Sequence, residues 1–544
     1  MTKQPPDRLL KMFERSIRDQ VGAGAVIARY DQNNRTPMAF TIERAVGRLD
    51  DVWATVFWVS NGPPDMFCLR ANDSMAVAFS DRYVQLSAQF LQLLTMPLDN
   101  LLRAEVAERL CLRVIAEFSL KNGDADLAAL CFMRAKVGES FMIPDTEDVR
   151  ALEYEPISER YMFIWFFGLM HELGHAKAAS GMLRSLLEQV FPDESVSSYL
   201  INILNEEDVP GDLHLSMKDF LAAEPMFSPA QLRDESLADV FACEALLEAT
   251  RDILLIANKR QLDPLAFATE HVLAMNWLSL IEKCRLIAAT APSRRPAGTQ
   301  EVLKVANHHM AFRFRTQVAN WYLLQALRPF YSASTPEKLE EAVVAFSEGL
   351  GPVHAAVQNG YRAALRYTMG AKSQLDDFNL LEQFRRESTS IVGSIIRTET
   401  EAFIARAKGV GVRSELLDQL EKVAGDPHTP LEPMAGFPYL LAWVKGPNGL
   451  SVPFKIKTKY GPLCFAFFAA NPAFDKFFNI SAEGLPDCYE LKRAAFVAPR
   501  PEVLGKMILA EASNDEGFGL VWEGSENFDS LFSELISGNI FIEG

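Results

Sequence analysis

Residues 171–175 read His171-Glu172-Leu173-Gly174-His175 inside an apolar, helix-compatible run, and no other segment constrains the chain as tightly. On a helix, positions i and i+4 share one face, so both imidazoles can reach a single tetrahedral metal ion. Glu172 then stands beside that ion without binding it, where a carboxylate can take a proton from an activated water and pass it to a leaving amine. About sixty residues beyond His175 comes Asp234-Glu235-Ser236-Leu237-Ala238-Asp239. A helix here offers Glu235 as the third protein ligand and leaves the fourth position to water. One turn later, Asp239 can accept the free N–H of a ligand imidazole and so fix its tautomer.

Two other readings of these residues stay open. In one, a partly buried helix carries two core histidines, a solvated Glu172 and a surface Glu235. In the other, Glu172 and His175 form half of a di-iron carboxylate bundle, which requires a second Glu-x-x-His pair. No such pair occurs, and only 8 histidines are present in 544 residues.

The paired motifs resemble the Glu-ligand branch of the zincin metallopeptidases, the branch that includes thermolysin. Glu235-Ser236-Leu237-Ala238-Asp239-Val240-Phe241-Ala242 with Leu246 and Leu247 is similar to a segment of ImmA/IrrE-type and HtpX-like peptidases. The likeness covers about a quarter of the chain. It implies Zn2+ held by His171, His175 and Glu235, Glu172 as general base, and a protein or peptide as substrate. HtpX-like members also carry a His-Pro followed by an Arg, and the segment Asn307-His308-His309-Met310-Ala311-Phe312-Arg313-Phe314-Arg315 matches this without the proline. From it come His309 and Arg315, with His308 and Arg313 as the alternatives beside them, as candidate donors to a tetrahedral oxyanion. His214, His271, His354 and His428 have no partner pattern and read as surface or packing residues.

A net charge of -17 without a long basic run argues against a nucleic-acid-coating surface. Cys68, Cys111, Cys131, Cys243, Cys284, Cys464 and Cys488 are odd in number and lack CxxC spacing, which suits reduced thiols. Cys243 reads as core, since a thiolate in the fourth position would close the site. The N-terminal residues lack the apolar stretch of a secretory signal, and the run Tyr161 to Met170 is too short for a bilayer. The expectation is a cytoplasmic protein with no membrane or nucleic-acid partner.

The fold class expected is α+β and mainly helical, a zincin-like core with a small N-terminal sheet and a C-terminal α+β module. An amphipathic helix spans Asp7 to Val21, and strands are expected at Ala25–Ala28, Val52–Val59 and Met66–Leu69. Met75–Phe79 and Tyr83–Leu86 read as a hairpin about Ser80-Asp81-Arg82, the candidate edge for a bound peptide. Leu101, Val106, Leu110, Val114 and Ile115 read as one buried stripe. The metal helix runs from a cap at Ser158, after Pro156, toward Gly181. A polar loop, Asn205 to Asp212, follows it. The second metal helix runs from Ser228-Pro229 to about Asn258. Helices continue over 261–425, interrupted at Ala291–Gly298. The domains are then 1–90, 91–425 and 431–544, with the last boundary in the Pro-rich stretch after Gly425. Beyond it, strands are expected at Leu440–Val444, Val452–Thr458 and Leu463–Ala469, with a turn at Gly446-Pro447-Asn448-Gly449. With 49% hydrophobic residues the chain can bury more than one core. The function expected is zinc-dependent peptide hydrolysis. The alternatives are a catalytically silent zincin-like binding protein and a zinc amidohydrolase acting on a non-peptide substrate.

Overall fold

The structure, a computed structural model, describes residues between 6 and 537, leaving aside 23, 30–52, 72–73, 96–98, 138–157, 178–180, 193–227, 254–262, 293–294, 331–350, 371–373, 390–392, 428–436, 446–450, 459–460, 469–471, 484–488, 524, 526 and most of 499–518. Pro156, the Asn205–Asp212 loop, His214, His428, the Gly446–Gly449 turn and Cys488 lie outside the described residues. The chain divides into two compact units, residues 1–371 with 402–413 and residues 372–401 with 414–544.

The first unit opens with α1 (Asp7–Val21), followed by β1 (Val26–Arg29), β2 (Trp53–Ser60), β3 (Met66–Ala71) and β4 (Ser74–Ser80). These strands form a sheet in the order β1-β2-β4-β3, with β2 parallel to β4 and the outer strands antiparallel to their neighbours. Leu10, Phe13, Ile17 and Val21 recur at helical spacing on α1 and pack on Phe57, Val59, Ala76 and Ala78. Side chains alternate across a strand, so Phe79 of β4 points the other way and stacks on Trp165 at 5.4 Å.

Helices α2 (Asp81–Thr95), α3 (Asn100–Lys121), α4 (Ala125–Lys136), α5 (Ser158–Lys177), α6 (Gly181–Val190), α7 (Pro229–Ile253), α8 (Pro264–Thr290), α9 (Thr299–Leu327) and α10 (Gly351–Met369) build the rest of this unit. The hairpin expected at 75–86 is corrected here. β4 ends at Ser80 and α2 begins at Asp81, so Tyr83 to Leu86 are helical, and the antiparallel hairpin is β3–β4. Tyr83, Val84 and Leu86 are all buried, a run that strand and helix patterns share over so few residues. Leu101 also departs from its expected stripe: it is 75% exposed in the first turn of α3, whereas Val106, Leu110, Val114 and Ile115 are buried.

The second unit contains α11 (Gln374–Ser388), the first half of α12 (Gly393–Gly409), and α13 (Glu415–Gly425). It continues with β5 (Phe437–Lys445), β6 (Ser451–Pro453), β7 (Ile456–Thr458), β8 (Gly461–Phe468), α14 (Pro472–Glu483), β9 (Glu490–Ala498), β10 (Gly519–Trp522) and α15 (Phe528–Ile536). β5 is central, pairing with β6, β8 and β9, and β10 lies parallel to β8. Phe454, Phe465, Phe467, Phe474, Phe477 and Phe528 fill the core between this sheet and helices α14 and α15. The strands expected at Leu440–Val444 and Leu463–Ala469 correspond to β5 and β8, whereas the one expected at Val452–Thr458 is two short strands, β6 pairing with β5 and β7 pairing with β8. The division differs from the one placed after Gly425, since α11 and α13 belong with this module. Helical periodicity reports which face of a helix is buried, not which neighbour buries it.

Among the described residues, no helix is long and apolar enough to cross a membrane. The six described cysteines are free, and Cys243 is fully buried.

The α3–α10 contact depends on Gly360, where a Cβ would fall 2.3 Å from the Ala104 carbonyl oxygen and 2.6 Å from the Ala107 Cβ. Gly360→Leu is expected to cost at least the ~1–3 kcal/mol of an overpacked core, read as a lowered thermal-unfolding midpoint by circular dichroism. An unchanged midpoint would show that this contact relaxes freely.

Candidate metal centre

Helix α5 carries the pentad, and its approach to α7 is set by a missing side chain. A Cβ on Gly174 would lie 2.8 Å from the Ala238 Cα and 2.9 Å from its carbonyl oxygen, so only glycine allows this close a crossing. The crossing sits one residue from His175 and one from Asp239, which brings both motifs to the same place. The start of α7 is fixed by a reciprocal cap: the Ser228 hydroxyl accepts from the Gln231 N–H, and the Gln231 side chain accepts from the Ser228 N–H. Leu232, Leu237 and Val240 pack with Leu187 of α6 and with Ala311, Phe314 and Val318 of α9. That packing commits one side of α7 to the core and leaves Glu235 and Asp239 toward α5.

Glu235 bridges the pentad histidines. Its Oε2 is 3.4 Å from His171 Nε2, and its Oε1 is 3.9 Å from His175 Nε2. Asp239 is fully buried behind His171, its Oδ1 2.8 Å from Nδ1. Arg315 of α9 donates from Nε and Nη2 to the two Asp239 oxygens at 2.8 and 2.9 Å, and its Nη1 lies 3.3 Å from Glu235 Oε2. Ligand atoms of His171, Glu172 and His175 all fall within 4.8 Å of one another. The structure thus brings together His171, Glu172, His175, Glu235, Asp239 and Arg315. His309 lies on α9 with its side chain outside the described residues, while its neighbour His308 is buried. His271 is buried edge-on against Phe167, and His354 is exposed on α10.

The electrostatics favour a cation between the histidines. Burial opposes ionisation of Glu235 and Asp239, but Arg315 and His171 outweigh it and hold both carboxyls below their usual range. Burial likewise disfavours a charged His171, yet Asp239 and Glu235 lift it to about 10. His175 is pushed down to about 4 by burial and by His171, which keeps a lone pair free. A metal ion at this place would displace the Nε2 proton that Asp239 and Glu235 favour on His171, and two imidazoles with an ionised carboxylate are then a donor set that suits a first-row transition metal with an open position. Burial also raises Glu172 to about 7, with Glu235, Glu282 and Asp65 adding to the rise against His171. A carboxyl poised there can accept and return a proton near neutrality.

Strand β3 lies along α5, and its alternate residues Met66, Cys68 and Arg70 meet that helix in turn. Met66 reaches Gly168, where a Cβ would lie 3.1 Å from its methyl carbon. The Cys68 thiol is in hydrogen-bond contact with Glu172, and Arg70 donates to the His175 carbonyl. Sequence reasoning did not single out Cys68 or Arg70. Their signal was the period-two alternation 66-68-70, legible only once β3 is known to be the strand beside the pentad.

Asp239→Asn removes the carboxylate charge shared by His171 and Arg315 while keeping its size. Metal affinity is expected to fall about 10–100-fold, measured by competition with a chromophoric chelator. An unchanged affinity would detach Asp239 from the site.

Compared with protein-family models, with curated proteins and with solved structures, the chain finds no match in any of the three.

Proposed function

We propose that this chain is a zinc-dependent metallopeptidase with a zincin-like core, cleaving a protein or peptide substrate in the cytoplasm. The observation that carries the reading is the meeting of two helix motifs, distant in sequence, at His171, His175 and Glu235. Glu172 stands beside them with a carboxyl raised to about 7. Zn2+ is favoured over other ions because imidazole and carboxylate ligands suit it and the proposed chemistry needs no redox change. When bound, Zn2+ would polarise a scissile carbonyl and acidify a water molecule.

The remaining work falls to the chain's own groups. Glu172 accepts the proton from the attacking water and returns it to the leaving amine, which its near-neutral carboxyl allows in both directions. Asp239 holds the His171 ring by its Nδ1 and keeps Nε2 directed at the centre. β3 is an outer strand of the four-stranded sheet and runs beside Glu172, so an extended peptide adding to that edge would pass over the pentad. This role moves from the expected 75–86 hairpin to β3.

The reading is tested by elemental analysis of wild type, Glu172→Gln and Glu235→Ala, paired with cleavage of a mixed peptide library. About one zinc per chain is expected in the first two proteins and a large loss in the third. Turnover should fall by about two orders of magnitude or more in Glu172→Gln, the usual contribution of a general base. Equal zinc in wild type and Glu235→Ala would remove Glu235 as a ligand. Zinc in wild type without cleavage of any peptide would favour the non-peptide or silent alternatives.

A further inference from the structure

Arginine is the side chain best built to grip a carboxylate, because its guanidinium presents a planar fork of donors. Around the candidate centre much of that capacity is already used. Arg315 is buried and spends Nε and Nη2 on Asp239 and Nη1 on Glu235, so it cannot turn to a substrate without abandoning both carboxylates. Arg285 of α8 faces Asp65 and Glu282 at 3.6 and 3.5 Å. Arg70 of β3 differs. It is exposed and its Nη2 donates to the His175 carbonyl, and among the described residues no carboxylate lies within ion-pair distance of it. A carbonyl is a neutral partner, so the Arg70 charge stays uncompensated.

Its place on the strand gives that charge a use. Residues 66, 68 and 70 alternate toward α5, with Cys68 at Glu172 and Arg70 at His175. Two strand residues span about 7 Å, so Arg70 shares a face with the residue beside the base and stands one side-chain repeat further along. We infer that Arg70 is a specificity residue that receives a carboxylate of the substrate, about two residues along the peptide from the bond beside Glu172. The inference rests on the peptidase reading and on β3 as the edge the substrate joins. An added strand keeps the period of its neighbour, which sets that separation. The carboxylate is that of an Asp or Glu side chain or of the peptide's own C-terminus. Because the His175 carbonyl already holds Nη2, the guanidinium is posed before the substrate arrives, and Nε and Nη1 are left to donate to it.

Full-length wild type, Arg70→Gln, Arg70→Lys and Arg70→Glu, each loaded with zinc, are given a mixed peptide library made twice, with free and with amidated C-termini, and the cleavage sites are read by mass spectrometry. Gln keeps a donor for the His175 carbonyl while losing the charge, so a role confined to that hydrogen bond would leave Arg70→Gln like wild type. Wild type is expected to favour an acidic residue or the free C-terminus near the cut by about tenfold, the usual weight of a charge-assisted hydrogen bond. The amidated library separates the two sources. The preference should vanish in Arg70→Gln, persist in part in Arg70→Lys and turn toward basic residues in Arg70→Glu, with zinc content unchanged throughout. The preferred peptides should also bind Glu172→Gln about tenfold more tightly than their uncharged counterparts, measured by fluorescence anisotropy without turnover, and adding Arg70→Gln should erase that difference. Wild-type cleavage that ignores acidic groups, a preference unaltered in Arg70→Gln, or a loss of zinc in Arg70→Gln would overturn the inference. Zinc-loaded wild type that cleaves no peptide would instead strike the peptidase reading itself, so the two failures are distinguishable.

Discussion

The arrangement of the centre depends on one buried carboxylate. Asp239 has no exposed surface, yet it stays ionised because His171 and Arg315 meet it from two other helices. Leaving such a group unpaired in a protein interior costs about 3–5 kcal/mol, more than most single contacts contribute. That penalty ties α5, α7 and α9 to a common geometry: moving any one of them strands a charge. The apolar packing of Leu232, Leu237 and Val240 holds α7 against α9 from outside the polar cluster, and the cation–π contact of Arg315 with Phe312, within α9, helps orient the guanidinium.

Around this junction the small residues matter as much as the charged ones. Gly174 lets α7 approach to backbone distance, and Gly168, earlier on the same helix, lets Tyr83 and Met66 close on the other side of α5. The sheet is thereby seated against the helix, with Phe79 stacked on Trp165 and Cys68 against Glu172. Burial from that side raises the Glu172 carboxyl toward neutrality, while the opposite side keeps Glu235 and Asp239 ionised. Carboxyl groups within one small region thus take different protonation preferences from the elements packed on them, the division of labour an acid–base site requires.

Local pattern made much of this legible. The helix Asp7–Val21, a strand beginning at Met66, and the strands β5 and β8 follow from apolar spacing and turn residues, and the pentad spacing alone places two imidazoles on one face. Reading failed where local signals are degenerate. Tyr83–Leu86 is too short and too uniformly buried to separate helix from strand, and Leu101 has the right spacing but stands in the exposed first turn of its helix. Nothing in the run of residues told α11 and α13 to join the C-terminal module.

The amino-acid sequence by itself therefore determined which side chains lie on a common helical face, because that depends only on the period of the backbone. The tertiary structure decided which faces meet. It selected Arg315 over Arg313 to face Asp239, set Cys68 and Arg70 along the pentad, and made β3 rather than a 75–86 hairpin the edge beside Glu172. Those outcomes rest on side-chain volume and charge pairing across long sequence separations, such as the 76 residues between Asp239 and Arg315, where no local periodicity carries information.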